Sequence, residues 1–76
     1  MSTWEEVSNR VYAENYHRLA ERGHELAAED YMLASRAEVV GELEIAWKAY
    51  QHYREASAVA IDLDNRALGF DLGLRQ

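Results

Sequence analysis

Cysteine and proline are both missing from this 76-residue chain, and each absence removes a class of answer. Without cysteine there is no disulfide staple and no thiolate metal site. A domain this short buries only about 60% of the surface its unfolded chain exposes, so its stability has to come from helix packing, self-association or a bound partner. Without proline, nothing interrupts a helix from inside. Glycine is scarce, at four residues, and Lys48 is the only lysine. No apolar run approaches the roughly 20 residues that span a bilayer. The opening Met1-Ser2-Thr3-Trp4-Glu5-Glu6 is acidic where a secretory leader is basic. The expectation is a cytoplasmic protein that makes no use of a membrane.

Positive charge is also in short supply: 14 Asp and Glu against 8 Lys and Arg leave a formal net charge of −6. That balance disfavours direct contact with nucleic acid or anionic lipid. It favours another protein, with a basic surface, as partner.

What the chain has in quantity is helix-forming residues, with Ala, Leu, Glu and Arg throughout. Ser2 and Thr3 each have a glutamate three residues on, Glu5 and Glu6, which is capping-box spacing. A helix over about residues 3–39 follows. Tyr12, Leu19, Leu26, Leu33 and Val40 recur every seven residues along it, with Tyr16, Ala20, Ala27, Ala34 and Ala37 beside them. This stripe is read as the buried face, on which a charge at Leu26 is strongly destabilising. It passes Gly23 without changing phase, so Gly23 reads as an interior glycine that lets a second helix come close. After Gly41 the phase changes to Leu43, Ala46, Trp47, Tyr50, Tyr53, Ser57 and Ala60, giving a second helix over about 42–61. Asp62-Leu63-Asp64-Asn65 looks like a loop. Beyond it Leu68, Phe70, Leu72 and Leu74 alternate with Gly69, Asp71, Gly73 and Arg75, which suggests an extended tail over about 66–76; the other reading is a last helical turn over Ala67 to Phe70 packed against the hairpin, with the remainder frayed. The fold class expected is all-α: an antiparallel helical hairpin, or a small three-helix bundle turning at Gly23, with an extended C-terminal tail.

Candidate chemistry is thin. Glu14 with His17 and Glu21 with His24 have the i, i+3 spacing of bundle metal sites, but the helical wheel turns them well away from Leu19 and Leu26. The second helix offers no matching pair, since Glu38, Glu42 and Glu44 cluster at the break and His52 has no glutamate three residues before it. Ser2, Ser8, Ser35 and Ser57 lack a glycine elbow or an oriented base. No glycine-rich loop precedes a helix to hold phosphate. The expectations are therefore no enzyme, no metal and no cofactor.

Aromatic residues are the better lead. Tyr12, Tyr16, Trp47, Tyr50 and Tyr53 lie among alanines, either as core rings or as interface anchors. The reading favoured by the sequence is a non-enzymatic binding module, an adaptor or inhibitor, acting through an acidic helical face and aromatic anchors. Its candidate contact residues are Glu14, Glu21, Glu25, Trp47, Tyr50, Phe70, Leu72 and Leu74. Two alternatives stand beside it. One is a homodimer in which two hairpins form a four-helix bundle. The other is a nucleic-acid mimic that blocks a CRISPR or restriction complex; there the likeness to small acidic phage-encoded inhibitors is one of size and charge, and Arg10, Arg18 and Arg22 interleave with the acids.

The segment Gly41-Glu42-Leu43-Glu44-Ile45-Ala46-Trp47-Lys48-Ala49-Tyr50, with Leu33, Ala34 and Ala37 before it, resembles the turn and second helix of a tetratricopeptide repeat. It covers about 30 residues and departs from the pattern at Asp30, at Tyr53 and in lacking the closing proline. The resemblance implies a helix pair used for protein binding and carries over no binding residues. Phe70-Asp71-Leu72-Gly73-Leu74 is similar to the apolar peptides that dock on bacterial sliding clamps, with Gly69 where those peptides carry glutamine.

Overall fold

The computed structural model describes residues 3–73, and two helices account for almost all of them: α1, Trp4–Val39, and α2, Leu43–Asp71. α1 begins where the capping spacing places it. Thr3 Oγ1 accepts the Glu6 N–H at 3.1 Å and the Glu6 carboxylate accepts the Thr3 N–H at 3.4 Å, closing a reciprocal box. The helix passes through Gly23 without interruption, so the described chain is a hairpin with no third helix.

The connection is a left-handed glycine cap. Gly41 has φ +80, the Gly41 N–H donates to the Glu38 carbonyl at 3.1 Å, and the Glu42 N–H reaches back to the Ala37 carbonyl at 2.8 Å. A side chain at position 41 meets no neighbour, but the backbone is in a region that L-residues adopt at a cost of about 1–2 kcal/mol. Gly41→Ala is therefore expected to lower stability by about 1 kcal/mol, read as a shifted urea midpoint with an unchanged slope.

Two sequence expectations change here. α2 does not stop near Ile61 but runs on to Asp71, so Asp62-Leu63-Asp64-Asn65 is helix and the 66–76 tail is helical as far as Asp71. Asp62 pairs with Arg66 one turn on at 2.9 Å, and Asp64 and Asp71 both reach across to α1. The acidic residues that look like loop formers are satisfied by side chains instead of by their own backbone. Leu74 lies outside the described residues.

The second change concerns what is buried. Every buried residue among those described is an alanine: Ala13, Ala20, Ala27, Ala34 and Ala37 on α1, and Ala46, Ala49, Ala60 and Ala67 on α2. Gly23 lies so close to α2 that a Cβ built on it would sit 3.0 Å from the Ala60 Cβ. From that contact, heptad steps in opposite directions set Tyr16 level with Ala67, Ala27 with Ala56, Asp30 with Tyr53 and Ala37 with Ala46. The helices are thus an antiparallel coiled coil with an alanine seam, stretched to 60 × 15 × 11 Å. The stripe of Tyr12, Leu19, Leu26, Leu33 and Val40 is one position off this seam, rotated by about 100°. Its members are 40% to 70% exposed. Around Gly23 and Ala60 the interhelical distance is too short for large residues, and the larger seam residues, Tyr16, Tyr53, Leu63 and Phe70, sit in other layers and stay half-buried. The expectation that a charge at Leu26 would wreck the hairpin core is corrected accordingly.

Candidate interaction surface

An antiparallel pair of helices has two long sides, one on each flank of the seam, and here they differ in character. On one side, the positions after each second core residue bring His17, His24 and Tyr31 of α1 against Asp71, Asp64 and Ser57 of α2. His17 Nε2 lies 2.7 Å from Asp71 Oδ2, and His24 Nε2 lies 2.7 Å from Asp64 Oδ2. Toward the turn the same side continues with Tyr31, which stacks edge-on to Tyr50 at 5.9 Å and to Tyr53 at 5.3 Å between centroids. These pairs lock the register of the hairpin. Being about half exposed, each of these pairs adds no more than about 1 kcal/mol.

The other side carries the displaced stripe. Leu19 (55% exposed), Leu26 (40%) and Leu33 (52%) of α1 run beside Val59 and Ile45 of α2, with Val40 at the turn end. His52 lies level with Leu26 and is the polar break in the row. At the open end Tyr12 covers Phe70, their rings stacked at 5.1 Å, and Tyr16 stacks on the same ring at 5.6 Å. The result is a strip of large aliphatic side chains that the hairpin itself leaves in water, bordered by Arg22, Glu29 and Arg36 on α1 and by Lys48, Glu55 and Asp62 on α2.

The eight residues singled out by sequence do not converge on one place. Glu14 and Glu21 share an exposed strip of α1 beside the histidine side, and Glu25 lies on its outermost line. Trp47 is exposed on the outer surface of α2 near the turn, about 33 Å along the rod from Glu14 at 1.5 Å per residue. Tyr50 is half-buried against Tyr31, and Phe70 is committed to the Tyr12 and Tyr16 stacks. Leu72 caps α2 and is exposed; with Glu6, Asn9, Arg10, Phe70, Asp71 and Gly73 it lines an open groove at the hairpin's free end. In this arrangement the clamp-like peptide is not extended: Phe70 and Asp71 are helical and face α1.

The helical wheel turns His17 and His24 away from the leucine stripe, yet both reach across to α2. The signal that could have revealed this is that His17 and His24 are spaced by one heptad, as are Asp64 and Asp71. Among the described residues, no three His, Asp or Glu side chains gather as a metal site would require, and no helix is long and apolar enough to cross a membrane. No protein-family model, curated protein or solved structure matches the chain.

Proposed function

We propose that this chain is a non-catalytic protein-binding module and that it docks through the aliphatic side of the rod, centred on Leu26. The observation that supports the reading is the row of Leu19, Leu26, Leu33 and Val40 beside Ile45 and Val59 along one exposed side, broken on α2 by His52 and closed at the free end by Arg66. An aliphatic strip of this length rimmed by polar residues is the usual mark of a protein-binding surface. The acidic line of Glu14 and Glu21 lies on the far side of the rod and serves solubility in this reading. The helix pair fits the kind of use that the tetratricopeptide resemblance implies, with the leucine side taking the place of a repeat's neighbours.

The reading is tested by placing a photo-activatable phenylalanine analogue at Leu26, or at the outward-facing Arg18, in the chain expressed in its native host. Irradiation is expected to give a discrete protein adduct from position 26 and none from position 18. An absence of adducts at 26, or the same adducts at both positions, overturns it.

A further inference from the structure

The rim of the aliphatic side has a charge pattern unlike the rest of the chain. The chain as a whole carries −6, but the six residues bordering the strip, Arg22, Glu29, Arg36, Lys48, Glu55 and Asp62, divide evenly between the signs. Three of them also hold exposed partners within the chain, Arg22 with Glu25, Lys48 with Glu44 and Asp62 with Arg66, pairs weak enough to exchange for a partner across the interface. Two copies of a −6 protein repel over most orientations; across this side they do not. A surface that packs on its own copy must also be complementary to itself about a two-fold axis lying in the interface. With the axis across the rod at the level of Leu26 and His52, α1 lies antiparallel on the α1 of a second copy. Arg22 then faces Glu29 of the second copy, and Lys48 faces Glu55 of the second copy. With the axis along the rod, α1 lies on the other copy's α2, and the facing pairs become Arg22 with Glu55 and Glu29 with Lys48. Both arrangements bring unlike charges together on each edge.

Area points the same way. A compact monomer of 8.8 kDa shows about 4,800 Å² of surface, whereas this chain shows 5875 Å². The excess, roughly 1,000 Å², is surface that the 60 Å rod leaves open, enough to supply the ~800 Å² that one partner contributes to a stable interface. The buried core is alanine throughout, and each alanine contributes only about one methyl group of apolar burial, near 0.8 kcal/mol. Large aliphatic side chains of the kind that stabilise most small bundles are left exposed along this side, at Leu19, Leu26, Leu33, Val40, Ile45 and Val59; Val11, Met32, Ile61 and Leu68 are exposed elsewhere on the rod.

Resting on the reading of this side as a docking surface, we propose that its occupant is a second copy of the chain. Two hairpins pack leucine side to leucine side as a four-helix bundle, with alanine seams inside each hairpin and the larger Leu, Ile and Val side chains between them. The histidine–aspartate sides then face outward.

Sedimentation equilibrium of the purified full chain from about 5 to 100 µM tests this, with helicity followed by circular dichroism on the same samples. The parent is expected at twice the chain mass. Arg22→Glu, an exposed change that spares the seam, is expected to raise the dimer dissociation constant about tenfold, equivalent to ~1.4 kcal/mol. Leu26→Glu is expected to raise it more than a hundredfold, and Ile61→Glu, on the opposite flank of α2, to leave it unchanged. Adding Glu29→Arg to Arg22→Glu restores the dimer if the axis crosses the rod; adding Glu55→Arg restores it if the axis runs along the rod. A parent that is a fully helical monomer at 100 µM overturns the proposal. So does a dimer indifferent to both Leu26→Glu and Arg22→Glu, or one that neither second change restores. A helical monomer that still crosslinks to another protein from position 26 leaves the docking surface standing with a different occupant. A monomer without such crosslinks removes both.

Discussion

Ala60→Leu is expected to lower the melting temperature by about 10 °C. Ala60 is completely buried and its methyl group packs on the Gly23 backbone, where even one added carbon would lie at 3.0 Å. A leucine at 60 has no void to fill, so the helices must separate or the side chain must leave its rotamer. Overpacking of this kind costs about 1–3 kcal/mol, occasionally more, and in a domain of this size each kcal/mol is worth about 4–8 °C. The strain also spreads, because a rigid helix forced away at one layer loses the alanine contacts of the layers on either side. Ala58→Leu, two residues earlier on the exposed outer line of α2, adds the same carbons and is expected to change the midpoint by less than about 3 °C, within the usual ±0.5 kcal/mol of surface changes. Thermal melts of the two variants by circular dichroism make the comparison, and equal midpoints would mean that the seam is not where packing is tight.

The same contact sets the sign of Gly23→Ala. Helix propensity alone favours alanine by about 1 kcal/mol, yet the added methyl meets Ala60. The single change is expected to be destabilising despite propensity, and the pair Gly23→Ala with Ala60→Gly to recover most of the loss. That outcome would show as a coupling energy of about 1 kcal/mol in a double-mutant cycle.

The sequence reading found the heptad but chose the wrong row within it. Tyr12, Leu19, Leu26, Leu33 and Val40 carry most of the hydrophobicity of α1, so any pattern weighted by hydrophobicity settles on them. The seam is the row one residue later, Ala13, Ala20, Ala27 and Ala34, where size matters more than apolarity. Gly23 pointed to it, since a glycine in a helix with no break is best explained by a close neighbour, and α2 supplies that neighbour at Ala60. The turn was legible because Gly41 combines a phase change with the one residue type that tolerates a left-handed cap. The end of α2 was not. Asp62, Asp64 and Asn65 favour loops by bonding to their own backbone; Asp62 finds Arg66 one turn on within α2, and only the folded pair shows that Asp64 has a partner in His24. The strict alternation from Leu68 misled for a related reason. Ala60, Leu63, Ala67 and Phe70 keep a 3–4 spacing through the same residues, and a helix partner decides between the two periods. As for the candidate surface, charge and aromaticity drew attention to Glu14, Glu21 and Trp47. The leucines read from sequence as a buried face that one hairpin covers only in part, and their exposure along the whole rod is the most informative feature of the folded chain.

That correction to α2 carries the second large effect. Deleting residues 62–76 is expected to cost far more helix than the ten residues of α2 it removes, Asp62 through Asp71. The deletion takes away Leu63, Ala67 and Phe70, the layers against Ala20, Tyr16 and Ala13, together with both ring stacks on Phe70 and both histidine–aspartate pairs. The first 17 or so residues of α1 would then have no partner, and isolated helices of this length are marginal in water. The capping box at Thr3 slows fraying by about 1 kcal/mol, too little to hold a segment that spends its apolar side on solvent. Circular dichroism is expected to show roughly ten further residues of helix lost from α1, and amide exchange to show protection beginning near Gly23 instead of near Ala13. If the truncated chain loses only the ellipticity of the deleted residues and keeps its protection at Ala13, then α1 does not need this part of α2 and the seam beyond Ala60 contributes little. The alternative expected from the sequence, a 66–76 tail that merely extends from a hairpin closed at Ile61, corresponds to that second result.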